Sequence, residues 1–319
     1  MTAIGGYFGL ELNQKNEYHS EAIRLNTGRN ALEYIMLARF YTKVYLPYYT
    51  CDVLLEPIKK LGLFYEFYSI DNKFEPIFDF SVIKENECFL YTNYFGIKDD
   101  FIYTLKSICN NLIIDNAQAF YAKHLENIDT FYSPRKFFGV ADGAYLYTNN
   151  IIETKLQQDV SCIRFDHLLR RLDISAEDGY SFFVHNDKSL SNMPILTMSN
   201  LTQKILSSIE YHNIAVSRRE NYNYLYNTLK DLNQLDFKLN LEQVPMVYPL
   251  YTDDLTLRER LSDNRVYTAQ YWANVLGWVT EDSLEYKFTT NIIHLPIDQR
   301  YSQDDLQKIV EIIFDQHSR

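Results

Sequence analysis

Apolar positions in the first 150 residues follow two alternating periods. Short β-rich runs at 43–46, 65–70, 88–92, 111–115, 130–133 and 144–148 predict strands. Stretches at 29–40, about 53–61 and 99–110 predict helices, and within the first Ala31, Leu32, Ile35 and Leu37 return near the helical period. Pro57 fits only near a first turn or at a kink, so the start of the second helix stays open. Strand–helix alternation over this length predicts an α/β architecture, a largely parallel sheet covered by helices. Ligands of such sheets collect at the carboxyl ends of strands. That rule singles out Asp115, which ends the apolar run Leu112-Ile113-Ile114.

The second half has a different texture. Residues 199–232 read as one long helix, with Leu201, Ile205, Ile209 and Val216 on its apolar side and Arg218, Arg219 and Glu220 exposed. An extended segment at 244–250, a helix from near Leu257, a strand at 292–295 and a terminal helix at 302–316 follow. Ser302 is the expected N-cap of that last helix, with Asp305 three residues on. Two domains are expected: 1–198, a larger α/β unit, and 199–319, the long helix with a smaller α+β unit.

Length and composition fit this division. A chain of 319 residues suits two packed domains, and 46% hydrophobic with 23% charged residues is ordinary for a globular protein. The net charge of −11 argues against broad contact with nucleic acid or an anionic membrane, but not against a small anionic ligand. Cys51, Cys88, Cys109 and Cys162 form no CxxC pair and read as buried reduced thiols. The first twelve residues lack a basic stretch before an apolar one, and no apolar run approaches the roughly 20 residues of a membrane span. A cytoplasmic location is the expectation. The 27 tyrosines carry no functional weight in this reading.

Three segments carry candidate chemistry. Thr27-Gly28-Arg29 opens a helix whose free N–H groups offer an anion seat, to which Arg29 could add a charge-assisted contact; a simple helix cap is the plainer reading. Asp115-Asn116-Ala117-Gln118 puts a carboxylate after a buried strand, costly unless paired; a turn or helix cap is again the alternative. Lys136 lies between a strand and a Gly-bearing turn, beside Arg135, Phe137 and Phe138, surroundings that would favour a neutral, nucleophilic amine; an ordinary solvated lysine is the plainer reading. Glycine is scarce, ten in all, yet Gly28, Gly96, Gly139 and Gly143 fall at these loops. The seven histidines show no HxH or HExxH pair, so no metal site is expected. The basic run from Arg164 to Arg171 reads as a solvated helix face or as a recruiter of phosphates.

In order along the chain these segments resemble the DegT-like sugar aminotransferases, a branch of the fold-type I pyridoxal-phosphate enzymes. The family start Ser-Gly-Thr-x-Ala-Leu is matched by Thr27 to Leu32, and Asp-Ala-Ala-Gln/His by Asp115 to Gln118. The stretch Pro-Thr-Lys-Asn-Leu-Gly-x-Gly-Glu-Gly-Gly is matched by Pro134 to Ala144, placing Lys136 on the family lysine. Leu46 to Thr50, Asn93-Tyr94-Phe95-Gly96, Met198-Ser199 and His294-Leu295-Pro296-Ile297 resemble further family segments.

The resemblance implies a large domain with a mostly parallel seven-stranded sheet between helices and a smaller C-terminal α+β domain. It implies pyridoxal 5'-phosphate held as a Schiff base by Lys136, which also shuttles the proton. Asp115 would hold the pyridine nitrogen and Gln118 contact the ring or its phenolic oxygen, while Thr27, Gly28, Arg29 and Ser133 seat the phosphate. The implied reaction is ping-pong, from an amino acid, commonly glutamate, to a keto-sugar, commonly nucleotide-linked, in a homodimer with sites at the interface.

The chain departs from the family in four places. Phe131 stands where a phosphate-binding Ser is usual, with Ser133 as the substitute. Cys51 aligns with the aromatic that stacks on the cofactor, with Tyr49 as stand-in. The interval from Asp115 to Lys136 is shortened, and Pro194-Ile195-Leu196-Thr197 replaces the stretch that lends an Asn to the neighbouring subunit. A sugar-dehydratase-like pyridoxal-phosphate enzyme and a non-catalytic relative are the alternatives. Retention of Lys136, which such dehydratases replace by histidine, favours transamination.

Overall fold

The computed structural model describes residues 4–315. The expected strands form, together with two short ones that periodicity cannot detect. β1 is Ile23–Leu25, β2 Lys43–Pro47, β3 Phe64–Ile70, β4 Pro76–Ile77, β5 Glu87–Thr92, β6 Leu112–Asn116, β7 Asp129–Tyr132 and β8 Ala144–Tyr147. They make one eight-stranded sheet in the order β1-β8-β7-β6-β5-β2-β3-β4. The sheet is parallel from β3 to β7, with antiparallel strands at both edges. It has eight strands rather than seven because the two-residue β4 is added at one edge.

β5, β6 and β7 are buried at every position, as parallel strands covered on both faces must be. Their alternation sorts the two faces chemically. Val44, Leu46, Leu90, Ile113, Phe131 and Leu146 point to one core, and Tyr45, Phe89, Tyr91, Ile114, Tyr132 and Tyr145 to the other. Helices α1, Gly28–Arg39, and α2, Leu55–Lys60, cover the first face. Pro57 is the third residue of α2, where its missing N–H costs nothing. Helix α3, Asp99–Ile108, and much of the second half cover the aromatic face. The tyrosine hydroxyls there reach backbone carbonyls: Tyr68 donates to Leu90 at 2.8 Å, Tyr91 to Phe74 at 3.0 Å and Tyr132 to Ala122 at 2.9 Å.

After the sheet, α4, Asp166–Asp173, and α5, Ala176–Ser189, form a helical hairpin. The single long helix expected over 199–232 is two: α6, Asn200–Leu206, and α7, Tyr211–Leu229. Ser207 and Ser208 turn their hydroxyls back to the carbonyls of Lys204 and Ile205, at 2.9 and 2.7 Å, and end the first helix. Nor is Arg218 exposed. It is 1% accessible, donates to the carbonyls of Pro245 and Met246 at 3.3 and 3.0 Å, and lies 4.5 Å from the Phe137 ring centre. Burial draws its pKa down to about 10.

The remaining elements are β9, Val247–Tyr251, paired antiparallel with β10, Ile292–Pro296, and helices α8, Leu257–Asp263, α9, Leu284–Asn291, and α10, Gln303–Phe314. Ser302 caps α10 in a capping box with Asp305; position 316 of the expected helix lies outside the described residues. Among the described residues no helix is long and apolar enough to cross a membrane. The four thiols are free, but only Cys88 and Cys109 are buried; Cys162 is exposed on a 3₁₀ turn and Cys51 half-buried, so the expectation of uniformly buried thiols fails.

One buried acid ties the halves together. Asp142 accepts from the Ser199 N–H at 2.9 Å, from the Ser199 hydroxyl at 2.8 Å and from the Thr202 hydroxyl, and so holds the start of α6. Gly143 beside it has φ +119°, and a Cβ there would meet Pro134, Thr202 and Met198 at 3.0–3.3 Å. Asp142→Ala strands the Ser199 N–H and the Thr202 hydroxyl, while the Ser199 hydroxyl keeps Ser161 at 2.7 Å. It should cost about 3 kcal/mol, at about 1.5–3 kcal/mol per hydrogen bond to a charged group partly offset by relaxation. Urea denaturation checks this: the midpoint should fall at unchanged slope.

Candidate active site

Asp115 is the fourth residue of β6, at its carboxyl end, in register with Thr92 of β5 and Phe131 of β7. Its side chain is buried, and one carboxylate oxygen accepts from the Ala117 N–H at 2.8 Å. The other oxygen has no hydrogen-bond partner among the described residues. Burial pushes the Asp115 pKa up to about 6, against the opposing influence of the Lys136 charge and the Ala117 N–H.

Lys136 ends the 3₁₀ turn Pro134–Lys136 that follows β7, the strand parallel to and beside β6. The topology therefore delivers acid and amine to the same end of adjacent strands. The Lys136 side chain is exposed, and its Nζ lies 5.6 Å from the Tyr271 ring centre and 5.9 Å from that of Trp272. Its charge acts on Asp115 and on the Cys51 thiol, whose pKa burial raises and Lys136 lowers. Among the described residues it forms no ion pair. Sequence reading missed Tyr271 and Trp272, which lie 135 and 136 positions further on. No local motif marks them, and their only signal is an aromatic pair in an otherwise polar stretch.

Gln118 stands in the turn after β6 and is 1% accessible. The Phe95 N–H donates to its Oε1 at 3.2 Å, which fixes the amide's orientation and leaves Nε2 buried without a partner. The loop that supplies this N–H needs its glycine. Gly96 has φ +70°, and a Cβ would sit 2.9 Å from the Val244 carbonyl oxygen and 3.3 Å from that of Gln118. The buried amide thus keeps an unused donor three residues after a carboxylate with one oxygen unbonded among the described residues.

Thr27 is the N-cap of α1, its hydroxyl accepting from the Asn30 N–H at 3.1 Å and donating to the Asn30 side chain at 2.6 Å. Gly28 opens the helix, with the Phe131 ring 3.7 Å from where a Cβ would lie. Phe131 is thus a core residue beneath the helix start. Arg29 is not free to meet an anion as the sequence suggested: its guanidinium is buried, 2.8 Å from Glu56 and 3.2 Å from the Ser191 hydroxyl. Arg135, paired with Asp187 at 3.0 Å, lies close enough to Arg29 for the two charges to oppose each other. Ser133 precedes the lysine turn, and its hydroxyl has no hydrogen-bond partner among the described residues.

Tyr49 does not face Lys136 with an open ring. It is fully buried, stacked on Tyr94 at 5.6 Å and on Phe74 at 6.2 Å, with Trp272 and Phe288 against its edge. Cys51 is the residue of that loop next to the amine. The segment 194–197 is structural: Asn26 donates to the Pro194 carbonyl at 3.1 Å and accepts from the Leu196 N–H at 3.2 Å, so it runs along β1. The basic run is spent locally. Arg164 pairs with buried Asp159 at 2.5 Å, and Arg170 covers the Phe182 ring at 4.1 Å. Arg171 lines a groove of about 1180 Å³ remote from Lys136, where Arg260, Arg265, Arg300 and Lys308 are already ion-paired. Among the described residues no group of three or more His, Cys, Asp or Glu could hold a metal ion.

The fold matches solved structures described as aminotransferases. It superposes on a DegT DnrJ EryC1 StrS aminotransferase from Brucella abortus with a TM-score of 0.63 at 15% identity, covering 93% of this chain and 86% of that one. It matches the sugar aminotransferase CalS13 from Micromonospora echinospora with a TM-score of 0.60 at 14% identity, over 94% and 88% of the two chains. The Streptococcus pneumoniae Spr1654 protein in its PLP form gives 0.65 at 15% identity, over 92% and 86%. No family model and no curated protein matches the sequence. At such identities the likeness establishes the fold.

The Asp115 environment makes a pH-dependent prediction. Because its folded pKa of about 6 lies above the usual 3.8, the folded chain binds more protons than the unfolded one between those values. Stability therefore falls as pH rises through that window, and the ligand-free protein at neutral pH carries a penalty of about 3 kcal/mol. Asp115→Asn should raise its melting temperature by several degrees at pH 7.5 and by roughly half as much at pH 5. A thermal shift that is the same at both pH values would show that the acid is not desolvated.

Proposed function

We propose that this chain is a pyridoxal-phosphate-dependent sugar aminotransferase, taking an amino group from an amino acid, glutamate first among them, and giving it to a keto-sugar, nucleotide-linked by preference. The observation that carries the reading is the convergence of Lys136 and Asp115 on the same end of adjacent strands, where the Lys136 charge acts on the buried acid, together with the unpartnered Gln118 amide. A group with a pyridinium N–H for the free Asp115 oxygen and an acceptor oxygen for Gln118 Nε2 answers both unmet valences. The fit to pyridoxal phosphate is chemical as well as positional, and the same fold houses it in the Streptococcus pneumoniae Spr1654 protein, whose structure is described as the PLP form.

Pyridoxal phosphate, when bound, supplies an aldehyde for an amine and a protonated ring that accepts an electron pair. This chain's residues do the rest. Lys136 Nζ would hold the group and is the amine placed to take and return a proton at the substrate carbon. Asp115, ionised above about pH 6, would accept from the ring nitrogen's N–H. Gln118 Nε2 would donate to the phenolic oxygen. The N–H groups at the start of α1, with Thr27 and Gly28, and the Ser133 hydroxyl seat the phosphate. Tyr271 and Trp272, from the second half of the chain, lie beside the amine, and the proposed division remains 1–198 and 199–319. A cytoplasmic homodimer remains the proposed form.

Lys136→Ala should leave the protein folded and abolish covalent capture of the cofactor. Incubation with pyridoxal phosphate, borohydride reduction and peptide mapping read this directly: the wild type should carry the label at Lys136 alone. Glutamate should then bleach the visible band of the loaded wild type. A wild-type chain that takes up no cofactor at millimolar concentration, or carries the label on another lysine, sinks the proposal.

A further inference from the structure

Arg218 is one of the largest fully buried side chains among the described residues. A guanidinium out of water is costly when no carboxylate meets it. None does here among the described residues. The acid whose charge acts on it, Asp298, bonds Arg300 at 2.7 Å, and Arg218 Nε is buried without a partner. A methionine would occupy the same space without that penalty. What the guanidinium adds is a set of directed contacts, and each of them leads to the candidate site.

The first route ends at the amine. The guanidinium carbon lies 4.5 Å from the ring centre of Phe137, the residue after Lys136. One turn along α7, Asn221 donates to the carbonyls of Ile297 and Tyr301, both at 3.1 Å, and so shapes the turn that carries Gln299. Gln299 Nε2 donates in its turn to the Phe137 carbonyl at 3.1 Å. Phe137 is thus gripped by its ring and by its backbone, both from α7. Its own N–H bonds the Pro134 carbonyl at 2.9 Å, which closes the 3₁₀ turn that Lys136 ends.

The second route ends at the amide. Arg218 donates to the carbonyls of Pro245 and Met246 at 3.3 and 3.0 Å. The Met246 N–H donates to the Phe95 carbonyl at 2.8 Å, and the Phe95 N–H donates to Gln118 Oε1 at 3.2 Å. We propose that Arg218 is a positioning residue of the site: one buried guanidinium, lying on Phe137 and bonded to Pro245 and Met246, fixes the Lys136 turn and the Gln118 amide relative to each other. A planar group with several rigidly spaced donors can do both at once, which an ammonium cannot. The inference rests on the reading of Lys136 and Gln118 as cofactor groups, while the contacts themselves are tested without cofactor.

Hydrogen exchange of the cofactor-free chain, resolved to single amides, reads both routes. Arg218→Met keeps the bulk and loses every donor. The Phe95 and Met246 amides, and those of Phe137 and Phe138, should then exchange at least about tenfold faster, with the strand amides of Leu90 and Ile113 unchanged. Gln299→Met should loosen Phe137 and Phe138 alone. After loading with pyridoxal phosphate, Arg218→Met should lose about half or more of the circular dichroism of the visible band, which reports how rigidly the ring is held. A wild type that takes up no cofactor sinks the function reading, and the exchange pattern still decides the clamp. Loop amides or a visible dichroism that match the wild type, or an acceleration shared equally by Leu90 and Ile113, overturn the proposal. Should Arg218→Met fail to fold, Gln299→Met decides, and unchanged Phe137 and Phe138 amides in it overturn the proposal.

Discussion

The structure turns on a carboxylate that the fold has removed from water and only half supplied with partners. Asp115 lies near the end of a strand buried on both faces, so its ionised form is costly and gains from a cation or donor brought to it. The parallel arrangement meets that demand by geometry. β6 and β7 run side by side in one direction, so the turn that follows each opens at the same edge, and the turn after β7 carries Lys136. Gln118, two residues past β6, is held by a backbone N–H from the turn after β5. Three consecutive strands thus converge on one spot, where each adds a group the others lack.

Much of this was legible in the sequence because the relevant signals are local. Short β-rich runs before Asp115 and Lys136 declare buried strands, and the acid at the end of one is conspicuous by its cost. The edge strands Ile23–Leu25 and Pro76–Ile77 are too short for any period to register. The tyrosines were passed over as compositional. They prove to pave one face of the sheet, where alternation sends aliphatic side chains to α1 and α2 and aromatic ones to the other side. A tyrosine suits that face because its hydroxyl can satisfy a carbonyl at the rim of the core while its ring fills the interior.

What escaped the sequence depends on partners far along the chain. The residues 199–232 carry a helical apolar period throughout, yet Ser207 and Ser208 end the first helix by bonding back to their own turn. Arg218 looks solvated beside Arg219 and Glu220, but a cavity between Phe137 and two free carbonyls takes its guanidinium whole. Arg29 looks available at a helix start until Glu56, on another helix, claims it. For both arginines the cause is the same: the acceptors that take the charge lie across the fold, where no local pattern announces them.

Arg29 and Arg135 also bear on how an anion could be held beside Gly28. Each guanidinium is neutralised, one by Glu56 and one by Asp187, and yet the two remain near enough to oppose each other. Their field at the start of α1 is that of two ion pairs, which falls off faster with distance than that of two bare cations. On the proposed reading, a phosphate there would be attracted chiefly by the N–H groups of the first turn and the helix dipole. Phe131, packed under Gly28, keeps water from that turn on its inner side and so lets those dipoles act in a poorer dielectric. A site of this design trades charge for desolvation. It would hold a phosphate through directed hydrogen bonds with little dependence on salt, where a cluster of free arginines on so acidic a chain would be screened.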